Sequence, residues 1–320
     1  RGYEAISDLL QNHLTSKFHS NPAGADICNL IKERKAGQVK ELLRQSPALL
    51  HSSDERGNTP LHWAVITRQL ELIDHLFELG ADAQAKRSDG STPVQLAIQG
   101  DYWYRSSRDL ESSAIRNPWF VAGYLISKGA DYDLHIASSV GDTEAVLRFL
   151  EETPTLVNQK DSSGRTALYY AAKFGHLQTL KSLLEHGADP NKPEQDAPQG
   201  AALHAAALGN HVACAKLLLE YGANVEANVE SSATPLGVAM AKGYTQMEKL
   251  LFAHGASIPL SIACWLGRID LVSAMLSADL ELVNSEGDYG PLCMAVGFGH
   301  EEIVRLLVNR GADLNQVWYS

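Results

Sequence analysis

Gly57-Asn58-Thr59-Pro60-Leu61-His62-Trp63-Ala64 is the stretch on which the reading of this chain turns. Thr59 is an expected N-cap, its side-chain oxygen accepting from a backbone N–H of the first turn. Pro60 at the first helical position forgoes an N–H that would have no partner there. Leu61 and Ala64 begin an apolar face at helical spacing, and Ala64 is small enough for a neighbouring helix to come close. A second helix is expected over 70–79, with Leu70, Leu72, Ile73, Leu76 and Phe77 in its apolar set. Gly80 supplies the left-handed residue that ends it, and Ala81-Asp82 lead into a polar turn. Thirty-three residues after Gly57, the stretch Gly90-Ser91-Thr92-Pro93-Val94-Gln95-Leu96-Ala97 starts the unit again.

A period of about 33 residues carrying Thr-Pro-Leu-His-x-Ala resembles the ankyrin repeat, and the resemblance covers nearly all of the chain. It implies an all-α solenoid of about nine helix pairs joined by short β-hairpin fingers. The motif histidine stands at His62, His135 and His204, and is replaced by Gln95, Tyr169, Gly237 and Cys293. The family places that histidine in a hydrogen-bond network within the turn, so its loss is expected to loosen a repeat without changing the fold. Trp63, Tyr170, Leu96, Ile136 and Val238 fill the x of His-x-Ala and are expected to be core.

The array is punctuated irregularly. Residues 1–22 read as an N-terminal capping helix and loop, with Ile6, Leu9, Leu10, Leu14 and Phe18 on one side. Residues 23–320 read as the array, with an insert at about 101–118. Asn21-Pro22-Ala23-Gly24 is expected to be loop, followed by a degenerate repeat with a helix near 27–35. The insert follows from the end-markers: Gly80 and Gly129 lie 49 apart, against a period of 33. Two units begin with no room for a finger, at Leu134-His135-Ile136-Ala137 and at Leu260-Ser261-Ile262-Ala263. The last helix carries Ile303, Val304, Leu306, Leu307 and Val308 like an internal one. Its outer face is therefore expected to be covered by Val317-Trp318-Tyr319, by a further segment, or by a second copy of the chain.

Composition narrows the function. A net charge of −11 argues against nucleic acid or an anionic membrane surface as the partner, since phosphate binding wants a basic face. No apolar run approaches the ~18–20 residues of a membrane span. Cys28, Cys214, Cys264 and Cys293 lie far apart and lack metal-ligand spacing, so they read as reduced apolar residues of an intracellular, cytoplasmic protein. Most of the twelve histidines fall on motif or turn positions, and neither a metal site nor a cofactor is expected. No Gly-x-Ser-x-Gly, phosphate loop or His-Glu-x-x-His is present, which leaves no catalytic candidate.

Two groups of residues stand out as partner-binding candidates. In the family, the residues that end each first helix face the concave surface and vary with the ligand. Phe174, Trp265 and Phe298 are large aromatics at such places, where polar side chains are ordinary; equally, each could cover its neighbouring repeat. In the insert, Trp103, Tyr104, Arg105 and Arg108 join aromatic and guanidinium groups suited to cation–π contacts and carboxylate clamps, or to folding back over the array. The expected function is a non-catalytic protein-interaction module binding on its concave face and at the insert, with self-association through the last repeat a further expectation. The alternatives are a small-molecule or enzymatic site built on the insert and those aromatics, and a structural spacer within a longer chain.

Overall fold

A computed structural model of the chain describes residues 21–100, 117–229, 234–285 and 290–315. The chain divides into two compact units, residues 1–167 and 168–320. In the first unit Pro22–Lys32 pairs with Ala36–Gln45, Pro60–Ile66 with Leu70–Glu78, Pro93–Gln99 with Pro118–Ser127, and Leu134–Val140 with Thr143–Glu152. In the second, Ala167–Phe174 pairs with Leu177–Glu185, Ala202–Leu208 with Val212–Glu220, Pro235–Lys242 with Thr245–Ala253, Leu260–Trp265 with Ile269–Ala278, and Pro291–Gly297 with Glu301–Asn309. The described residues thus make nine helix pairs and no strand.

The first helix of each pair is short and deeply packed. All seven residues of Pro60–Ile66 are buried, including the motif histidine. The motif alanines, from Ala64 and Ala97 to Ala263 and Ala295, are fully buried. A methyl group is the largest side chain that lets successive first helices lie against one another, so a larger residue would overpack the stack. Trp63 is 4% exposed and Tyr170 1%, as the x position requires, while Val238 is only half-buried.

Two features differ from the sequence reading. The degenerate repeat starts at Pro22, because Asn21 accepts the Gly24 N–H at 2.7 Å and Pro22 holds the first helical position. A cap signal lies inside what reads as loop. The described fingers are turns: Asp54 N–H donates to the Asn58 carbonyl, Arg87 to Ser91 and Asp161 to Arg165, with isolated bridges at Lys160–Thr166 and Glu194–Ala197. At the motif itself, the Thr59 N–H donates to His62 Nδ1 at 3.1 Å and the Thr59 hydroxyl lies 2.8 Å from the same nitrogen. Gln95 does the same work in the next unit, its Oε1 accepting the Thr92 N–H at 2.9 Å. Where Gly237 leaves that slot without a side chain, the Thr234 hydroxyl accepts the Gly237 N–H, the cap expected of threonine.

The missing third finger changes the first unit. The second finger leans on the first: the Ser88 N–H and hydroxyl both donate to the Arg56 carbonyl, at 3.0 and 2.8 Å. Beyond the second finger, Gly129-Ala130-Asp131-Tyr132-Asp133 runs straight into Leu134–Val140, with Asp133 capping that helix through the Ile136 N–H. The finger at 159–166 therefore reaches the second finger directly, Ser162 Oγ donating to the Gly90 carbonyl at 2.7 Å. Gln95 Nε2 spans the same gap to Asp161 Oδ2 at 3.3 Å.

Candidate functional site

The residues that end the first helices do not form one uniform surface. In the second repeat pair Ile66 and Thr67 are buried, the Thr67 hydroxyl donating to the Trp63 carbonyl and accepting from Gln69 Nε2. These two positions are closed to a partner. Phe174 is half-buried, with the Lys173 ammonium 5.3 Å from its ring and His176 packed at its edge. Trp265 is half-buried, and Phe298 is 57% exposed.

Trp265 and Phe298 are brought together. Their ring centroids lie 6.0 Å apart at 70°, an edge-to-face pair. Trp265 closes the six-residue helix Leu260–Trp265, and Phe298 caps Pro291–Gly297. The turn after Trp265 needs Gly267, which sits at φ +70° with the His300 imidazole stacked where a Cβ would be. That ring then reaches the Trp265 carbonyl, with Nε2 at 2.9 Å. Gly175 and His211 repeat the device, His211 Nε2 reaching the Lys173 carbonyl at 3.1 Å. Histidine on glycine thus fixes the end of one first helix against the next repeat, and places the aromatic wall without help from a partner. Val296, two residues before Phe298, is 58% exposed and adds apolar surface that sequence reasoning missed. The sequence carried no signal for it, since Val65 holds the same place after Ala64 and is fully buried.

The insert candidates Trp103, Tyr104, Arg105 and Arg108 lie outside the described residues, as do the capping helix expected before residue 21 and the Val317-Trp318-Tyr319 tail. All four cysteines are free, three buried and Cys293 half-buried. Burial raises the Cys214 thiol to about 11 and the Cys264 thiol to about 12, and pushes Cys28 higher still. His62, wholly buried, is driven down to about 4 by desolvation, which its contact with the Ser91 carbonyl only partly offsets. Burial makes Cys28, Cys214, Cys264 and His62 structural groups, holding each in its neutral form near pH 7. Among the described residues no three His, Cys, Asp or Glu side chains cluster as a metal site, and no helix is long and apolar enough to cross a membrane.

Stacked helix pairs, alanine seams, glycine-ended second helices and short turn fingers define a helical repeat protein. Models of ankyrin repeats match residues 42–97, 114–194, 191–260 and 288–318, and the chain belongs to the ankyrin-repeat family. The nuclear factor NF-kappa-B p105 subunit of Gallus gallus is 28% identical over 238 residues, covering 72% of this chain and 24% of that protein. A Caenorhabditis elegans homologue of transient receptor potential cation channel subfamily A member 1 is 28% identical over 58% of this chain and 14% of its own length. Rabankyrin-5 of Mus musculus is 27% identical over 58% and 17%. The chain spans about a quarter or less of these curated relatives. Among solved structures, the human ASB11 ankyrin repeat domain is similar at 26% identity and TM-score 0.44, over 58% of this chain and 86% of that one.

Proposed function

We propose that the chain is a non-catalytic protein-interaction module whose partner lies against the wall made by Trp265 and Phe298. The observation that carries this reading is a large aromatic side chain, 57% exposed, held edge-on against a second one whose own backbone is anchored by His300. An anchor whose geometry is fixed before binding loses little conformational freedom on association, and buried aromatic anchors dominate interface energetics. Ankyrin repeats are in general protein-binding modules, which supports the class without naming the partner. With a net charge of −11, a partner segment that flanks an apolar anchor with basic residues is favoured electrostatically.

Residue types alone extend the reading to Trp103, Tyr104, Arg105 and Arg108, as a second contact made by the insert. Val308 and Leu314, both exposed at the last repeat, support self-association there.

The test places a photo-crosslinking amino acid at position 298 and, as a control, at exposed Lys216 on a second helix. A crosslink formed from 298, absent from 216 and lost when Trp265 is also replaced by Ala, is the expected result. Equal crosslinking from both positions, or none from 298, overturns the reading. Deleting residues 101–116 asks whether the insert contributes.

A further inference from the structure

We propose that the cleft beside the Trp265–Phe298 pair takes a basic side chain from the partner segment, with Glu302 as the carboxylate that reads it. This deepens the function proposed above and rests on that reading of the wall.

Wall and cleft share one residue. The His300 imidazole covers Gly267, where a Cβ would come within 2.6 Å of its Cε1, and its Nε2 reaches the Trp265 carbonyl at 2.9 Å. The same ring forms one side of a cleft of about 220 Å³, lined also by Ile269, Glu301, Glu302 and Ile303. Ile269 follows Trp265 by four residues, and His300 follows Phe298 by two, so a single extended segment reaches both places. The cleft is smaller than the ~300–1,000 Å³ of ordinary small-molecule sites and suits one side chain.

Charge decides which side chain. Glu301 and Glu302 open the helix Glu301–Asn309, whose dipole favours carboxylates there. The two are not equivalent. Glu301 is bound by Arg305 at 2.5 Å, whereas Glu302 has no ion-pair partner among the described residues. Arg268, between Gly267 and Ile269, is engaged elsewhere. Its Nη1 donates to Glu248 at 3.0 Å, and its Nε and Nη2 donate to Asp270 at 3.1 and 3.0 Å. The cleft thus holds a carboxylate left uncompensated, on a chain whose net charge is −11.

The apolar lining narrows the choice further. Ile269 opens its own helix and is left 38% exposed. A side chain with an aliphatic stem and a charged head matches both groups, its methylenes on Ile269 and its head on Glu302. Arginine fits better than lysine, because its planar guanidinium donates two parallel hydrogen bonds to one carboxylate. The partner segment therefore pairs a large apolar residue, on the two rings, with an arginine in the cleft.

The experiment pans the full chain against an immobilised library of random capped nonapeptides. The tightest peptides are expected to carry one large apolar residue and one arginine at a fixed separation. Replacing that arginine by citrulline, its uncharged isostere, should weaken binding about fivefold. Glu302→Gln should cost the same, and the two changes together no more than either alone. Raising the salt from about 0.05 to about 0.5 M should weaken the arginine peptide and spare the citrulline one. Glu301→Gln, whose carboxylate is already paired, should have the smaller effect, and Phe298→Ala should weaken both peptides alike. Selected peptides without a basic residue, or additive effects of citrulline and Glu302→Gln, overturn the cleft; a loss of binding in Phe298→Ala would still support the wall. Arginine-dependent binding that Phe298→Ala leaves untouched supports the cleft and overturns the wall. Absence of any peptide saturating below about 1 mM overturns the cleft, and the crosslink from position 298 then judges the wall by itself.

Discussion

The Ser162 hydroxyl donates to the Gly90 carbonyl at 2.7 Å, although 72 residues of chain separate them. The contact matches the one Ser88 makes with Arg56 between adjacent fingers. Skipping a finger therefore leaves the line of finger tips unbroken.

This bridge makes Gly90 a sensitive position. Gly90 sits at φ +84°, and a Cβ there would come within 2.6 Å of Ser162 Cβ. Gly90→Ala is expected to cost about 1–3 kcal/mol from the strained backbone alone. Ser162→Ala, which removes one partly exposed hydrogen bond, should cost about 0.5–1.5 kcal/mol. Urea unfolding of both variants checks the order. A smaller effect for Gly90→Ala would show that the tips move apart freely.

His62 makes stability depend on pH. Its native pKa is about 4, against an ordinary value near 6.5, so the unfolded chain binds the proton more readily. The imidazole's contribution is complete above pH ~6.5 and lost as the pH falls from there toward 4. At 1.36 kcal/mol per pH unit this amounts to roughly 3 kcal/mol across the window. His62→Gln should keep the Thr59 contact, as Gln95 does with Thr92, and remain within about 1 kcal/mol of wild type at pH 7. Its stability should then be flatter between pH 6.5 and 4. Thermal unfolding of both proteins at half-unit pH steps reads the difference.

The fold was legible in the sequence because repeats write their geometry locally. Thr-Pro at a helix start, alanine at the seam and glycine after the second helix each act within one turn, and each recurs. The loss of two fingers was legible for the same reason, as a spacing. What a missing finger leaves behind was not. The Ser162–Gly90 bridge joins residues two repeats apart. Likewise Phe174, Trp265 and Phe298 look equivalent by register. Only burial separates the exposed Phe298 from its half-buried counterparts, because exposure depends on what the adjoining repeat presents.

The cysteines should differ in reactivity. Burial holds the Cys28, Cys214 and Cys264 thiols well above the ordinary range, while Cys293 is partly accessible. A thiol reagent such as dithionitrobenzoate, added to native protein at pH 8, should modify Cys293 quickly and the other three only on unfolding. Cys293→Ser should abolish the fast phase. Rapid release of several thiols from folded protein would mean that the first helices open readily.

Phe298→Ala and Trp265→Ala, taken together, separate binding from packing. Phe298 is 57% exposed, so its truncation forfeits little burial and one edge-to-face contact worth about 0.5–1.5 kcal/mol. Partner affinity should fall much further, by about 2 kcal/mol or some thirtyfold, if the ring is an interface anchor. Trp265 is half-buried beneath it, so Trp265→Ala should lower both stability and affinity. Its backbone tie to His300 does not involve the side chain and survives the substitution. The deciding quantity is the ratio of affinity loss to stability loss, read by calorimetric binding and thermal unfolding of the same preparations. A large ratio for Phe298→Ala and a smaller one for Trp265→Ala identify Phe298 as the anchor and Trp265 as its support. Equal ratios near one would reduce the pair to packing between two repeats, and the wall would then lose its claim as an interface.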